Sequence, residues 1–146
     1  MRIYRNGEFC SEGVDLDLIA AVADESVSIY SFHPDDYRSH KLAEIKAACE
    51  AELSALQASY PESEVLSWDK QEREARDYQA DSMASVPLIT ALAEARGVTV
   101  ADLAGRIIQK ADAYTATIGA VLGKRQKLED QLNQMTSWEE MAMVSW

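Results

Sequence analysis

The side chains best suited to proton transfer or metal binding are few. The chain has only two histidines, His33 and His40, and only two cysteines, Cys10 and Cys49. A metal centre would have to join these histidines to Asp35, Asp36 or Cys10, and no ligand spacing connects them. Two isolated cysteines without a CxxC pair give no zinc signature. His33 precedes a proline and reads as a turn residue at a strand end. His40 reads as a surface residue at the start of a helix. Asp35 and Asp36 fit the acidic first turn of that helix, where carboxylates meet free backbone amides. Glu72 with Glu74, and Glu139 with Glu140, offer acid–base pairs in name only. Adjacent positions such as 139 and 140 point to different sides of a helix, and neither pair lies beside a recognisable pocket. There is no Gly-rich phosphate loop. The serines fall mostly in turns and caps, so no Ser-His-acid arrangement can be assembled. The expectation is a protein with no catalytic, metal-binding or cofactor-binding residues, one that works by binding other proteins.

Soft apolar side chains carry more information. Trp138, Met141, Met143 and Trp146 concentrate within the last nine residues. Chain ends fray unless something holds them, so this segment either folds back on the body or anchors in a partner. Aromatic residues and methionine are enriched at interfaces. The candidate protein-binding residues are these four together with Tyr114, Ile118, Leu128 and Leu132 from the longest apolar stripe of the chain.

The elements that would position them follow from composition and periodicity. A length of 146 residues suits one domain, or one modest core with a loosely attached end, and an apolar fraction of 47% is ordinary for a globular chain. A net charge of −11 disfavours nonspecific association with nucleic acid or anionic lipid. The one basic run, Lys-Arg-Gln-Lys at 124–127, reads as a solvated helix face. No stretch approaches the length of a membrane span, and residues 1–9 lack the apolar core of a signal peptide. The expected location is therefore the cytoplasm, with reduced cysteines; Cys49 falls on an apolar stripe, where a free thiol is a small hydrophobe.

Residues 1–4 and 8–10 predict a hairpin around Asn6 and Gly7, a turn pair that tolerates positive φ at both positions. A short helix over 16–22, capped by Asp15, and a strand over 26–32 follow. From Tyr37 the texture is helical. Leu42, Ile45, Cys49, Leu53 and Leu56 form one stripe, with Lys41, Glu44 and Lys46 on the other faces. A second helix is predicted over 64–81, docking through Trp68. A third starts near Pro87 and stops at Gly97. The last begins at Thr99, a capping residue, with Asp102 at the acidic third position. Its stripe runs Val100, Leu103, Ile107, Ala111, Tyr114, Ile118, Val121, Arg125, Leu128, Leu132 and Met135. Gly119 and Gly123 are its weak points, within a patch of small residues. Ser137 and Glu140 resemble a capping box. The architecture expected is mainly α: a small β-containing N-terminal unit, a helical hairpin and a long C-terminal amphipathic helix. The boundary is placed between 1–37 and 38–146. Residues 38–58 and 100–135 are expected to pack together in coiled-coil fashion, within one chain or across a dimer.

The order of several motifs resembles small proteins of tailed phages and prophages. It begins with Tyr60-Pro61, Glu64-Val65 and Ser67-Trp68-Asp69-Lys70-Gln71-Glu72-Arg73-Glu74-Ala75-Arg76. Val86-Pro87-Leu88-Ile89 and Ala93-Glu94-Ala95-Arg96-Gly97-Val98 follow. The helix from Leu103 to Ala113 comes next, then Val121, Gly123, Arg125, Gln126, Leu128, Glu129 and Asp130. The resemblance covers about residues 38–132. Such proteins are encoded beside tail fibre genes and are regarded as tail fibre assembly proteins, or fibre chaperones. The resemblance implies a chaperone working without ATP in the host bacterial cytoplasm. Its partner would be a tail fibre polypeptide, bound at its C-terminal region and guided into a trimer; a homodimer is the favoured assembly. The competing expectations are a tail or fibre component retained in the virion, and a helical regulator of a host protein.

Overall fold

A computed structural model describes residues 1–12 and 30–146. The expected short helix over 16–22 and the first part of the expected strand over 26–32 lie outside these residues. The chain is mainly α, with a small β unit at its N-terminus, a helical hairpin and a long C-terminal helix, as the sequence predicts. It forms two compact units, one of Met1–Ala51 with Leu122–Trp146 and the other of Glu52–Val121. The boundary expected at residue 37 falls inside the first of these.

In the first unit, β1 (Arg2–Arg5) and β2 (Glu8–Glu12) form the predicted hairpin. Asn6 has φ 50° and Gly7 φ 83°, so both turn positions use the left-handed region that this residue pair tolerates. Tyr4 lies opposite Phe9, and their rings meet edge to face. The pairing register shifts between Ile3 and Tyr4, a bulge that strengthens local twist. β3 (Tyr30–Phe32) adds to the other side of β1, giving the antiparallel order β2-β1-β3. Helix α1 (Pro34–Gln57) starts three residues before the helical pattern becomes visible in the sequence. Proline needs no amide partner in a first turn, which explains the early start. Asp36 in that turn grips Arg2: its Oδ2 accepts from the Arg2 amide (2.8 Å) and Nε (2.9 Å), and its Oδ1 from Nη2 (2.9 Å). These bonds hold the Asp36 carboxyl well below the usual carboxylate range.

Lys41 corrects the sequence reading of a solvated face. It is 7% exposed, and its Nζ reaches Glu44 Oε2 at 2.8 Å. The apolar centre of this unit is Ile45, Leu132, Met141 and Val144, with Leu42, Leu128 and Met135 packed against it. Within the unit, therefore, the stripes of the first and last long helices meet in one chain.

The second unit holds the end of α1, then α2 (Glu62–Val65), α3 (Trp68–Ala80), α4 (Pro87–Arg96) and the first two-thirds of α5 (Val100–Gln134). The single helix expected over 64–81 is two helices. Ser67 Oγ donates to the Glu64 carbonyl at 2.7 Å and interrupts the regular pattern. Trp68 docks as expected, edge-on to Tyr60 and to Tyr114. The core is Ala75, Val86, Ile89, Ala93, Leu103 and Ala104. Glu74 is buried beside it, and its Oε2 accepts from the free amides of Leu88 (2.8 Å) and Ile89 (3.0 Å) in the first turn of α4. Gly97 ends α4 at φ 66°, a left-handed cap that favours glycine. Thr99 Oγ1 accepts from the Asp102 amide at 3.1 Å and starts α5. Arg76 bridges Glu72 on its own helix and Asp112 on α5, and these bonds, Asp112 first, push its basicity up.

Every stripe residue predicted on α5, from Val100 to Met135, is buried or half-buried. Among the described residues, a Cβ added at Gly119 or Gly123 would meet nothing within 4 Å.

Candidate protein-binding groove

The distal end of α5 is fixed before the groove is formed. The last carbonyls of a helix lack intrahelical donors. The Arg38 guanidinium supplies them, Nε to the Leu132 carbonyl at 3.1 Å and Nη2 to the Met135 carbonyl at 2.8 Å. Asp35 Oδ1, 2.6 Å from Arg38 Nη1, orients that guanidinium. The chain then turns into α6 (Trp138–Ala142). Ser137 caps it, accepting from the Glu140 amide at 3.3 Å. The reciprocal bond of the expected capping box is displaced by one residue: Glu140 Oε2 accepts from the Thr136 amide, at 3.4 Å.

The C-terminal segment folds back within this unit. Met141 is fully buried and Val144 nearly so, both against Ile45 and Leu132. Trp138 packs edge-on to Phe32 (5.1 Å between ring centroids) and to Tyr37 (5.9 Å). Burial, with a smaller contribution from Glu44, raises the Tyr37 hydroxyl above its ordinary pKa. Lys124 Nζ lies 4.2 Å from the Trp146 ring centroid, a cation–π contact.

Between the end of α5 and this segment lies an open groove of about 550 Å³. Leu128, Met135, Met143 and Val144 supply its apolar surface; Gln131, Gln134, Glu140 and Ser145 supply its polar atoms. The side chains of Gln131, Gln134 and Ser145 make no hydrogen bond among the described residues. Met143 is 80% exposed, which is unusual for a large apolar side chain.

The candidate binding residues thus divide. Met143 and Leu128 line the groove, whereas Leu132 and Met141 are wholly buried beneath it. Trp138 and Trp146 are half-buried on the body of the same unit, and Tyr114 and Ile118 belong to the other unit, half-buried. Tyr114 there accepts a hydrogen bond from Gln57 Nε2 and meets the Trp68 ring edge to face. Sequence reasoning missed Gln131, Gln134 and Ser145. The one available signal was a pair of amides three residues apart on a helix, leading to Met135.

His40 is exposed; His33 is half-buried, with Nδ1 4.0 Å from Asp35 Oδ2. Among the described residues, no three His, Cys, Asp or Glu side chains gather to hold a metal ion, and no helix is long and apolar enough to cross a membrane.

No curated protein and no solved structure matches the chain. Residues 109–146 match the family described as the HI1402 helical domain, a stretch that contains the whole lining of the groove.

Proposed function

We propose that this protein is a tail fibre assembly chaperone, acting in the host bacterial cytoplasm without ATP and without catalysing a reaction. The observation that carries the reading is the groove beside α6, with an apolar floor, three polar side chains that make no hydrogen bond among the described residues and an exposed methionine. A polypeptide needs such a surface: apolar ground for its side chains and hydrogen-bonding groups for its backbone. Methionine adapts its shape to varied partners. The ordered motifs of residues 38–132 supply the identity of the partner by resemblance, a fibre polypeptide bound near its C-terminal end. Fibres fold through non-local pairings and expose aggregation-prone surface while they do so. Shielding that surface until the trimer buries it requires no nucleotide.

The test is co-expression with a tail fibre polypeptide, sought among the neighbouring genes where the resemblance would place it. Soluble trimeric fibre should appear only when the protein is present, and purified fibre should lack it. Trimer yield that is unchanged by its omission refutes the reading. Its retention in purified particles favours a structural component instead.

A further inference from the structure

We infer that the groove between the end of α5 and the C-terminal segment takes an extended peptide strand of the partner, with apolar side chains flanking a lysine or arginine. The inference rests on the chaperone reading and names what the partner must present. Three observations define the occupant. The apolar surface of Leu128, Met135, Met143 and Val144 calls for apolar side chains. The neutral groups of Gln131, Gln134 and Ser145 make no hydrogen bond among the described residues and match the amides and carbonyls of an extended backbone, which unlike a helix leaves both free. Among the described residues, the only charged side chain in the lining is the exposed carboxylate of Glu140. Among the described residues the carboxylate accepts one hydrogen bond, from the Thr136 amide, which is long at 3.4 Å and leaves most of its acceptor capacity open. A cation therefore has a counter-charge in the groove, and an anion meets repulsion within a chain of net charge −11.

The test titrates the full chain with two blocked heptapeptides that alternate leucine and serine around a central lysine or a central glutamate. Binding is measured calorimetrically at low salt. The lysine peptide should bind about fivefold more tightly than the glutamate peptide, the size of a favourable exposed charge pair. Glu140→Gln, which keeps a capping side chain at that helix position, should abolish the preference. Met143→Ser should weaken both peptides, whereas Met83→Ser, at an equally exposed methionine of the other unit, should change neither. Circular dichroism checks that each variant is folded. Equal affinity for the two peptides, no binding of either, or unchanged binding in Glu140→Gln or Met143→Ser overturns the assignment. The fibre co-expression separates the two claims. Fibre yield that survives Glu140→Gln combined with Met143→Ser, yet collapses without the protein, overturns the groove and leaves the chaperone reading standing.

Discussion

Arg38 donates to the carbonyl of Leu132, 94 residues further along the chain, and so closes the exposed end of the longest helix. Arginine reaches Leu132, Asp35 and Met135 from three different nitrogens of a planar fork, whereas a lysine carries its three donors on a single nitrogen. Arg38→Ala is expected to cost about 1.5–3 kcal/mol, the range for hydrogen bonds to a charged group. Arg38→Lys should recover only part of that. Urea denaturation measures both, and a change in Arg38→Ala below about 0.5 kcal/mol, ordinary for a surface site, would count against the cap.

Glu74 stabilises the start of α4 from another helix. Glu74→Ala leaves the Leu88 and Ile89 amides without their acceptor and should destabilise the second unit by about 2–3 kcal/mol. Glu74→Gln keeps an acceptor oxygen and should lose less. Hydrogen exchange at these two amides is the direct readout: it should accelerate in the alanine variant and change little in the glutamine variant.

The pairing of Asp36 with Arg2 makes stability depend on acid. The folded carboxyl titrates below its usual value of about 3.8, so the folded state holds fewer protons than the unfolded chain in that region. The contribution is fully present above the unfolded value and is lost as pH falls through it towards the lower, folded value. Asp36→Asn should therefore be less stable than the parent at pH 7, and the gap should shrink below about pH 4. A gap of constant size from pH 7 to pH 2 would show that the pair contributes no proton linkage.

Met141 and Met143 stand two residues apart with opposite surroundings, the first 0% and the second 80% exposed. Met141→Ala should cost about 2–5 kcal/mol through lost burial and a cavity. Met143→Ala should stay within about 0.5 kcal/mol. Removing residues 138–146 should destabilise the first unit at least as much as Met141→Ala does. Thermal unfolding followed by circular dichroism tests all three, and similar behaviour of the two methionine variants would contradict the packing described for α6.

What was legible in the sequence was local. The three-and-four spacing of α5 marked its inward side from Val100 to Met135, and Asn6–Gly7, Thr99 and Ser137 marked a turn and two caps, because each acts on neighbours within four residues. What was hidden depends on distant partners. Lys41 and Glu74 look like solvated charges by helical position, yet both are buried. Arg38 gave no sign of its acceptors on α5. The groove was visible only in part: Met143 and Leu128 were candidates, whereas Gln131 and Gln134 became notable only once the C-terminal segment lay beside them.

The division of the chain sets an order of maturation during synthesis. Glu52–Val121 emerges from the ribosome as one uninterrupted stretch and can close its own core immediately. The other unit needs Met1–Ala51 and Leu122–Trp146 together. At roughly 5–20 residues per second, its opening segment waits several seconds for Leu132, Met141 and Val144 to arrive. During that interval Ile45 and Phe32 lie uncovered. A protein proposed to guard another chain's unfinished surface thus passes through such a stage itself, and its own yield should respond to the pace of translation.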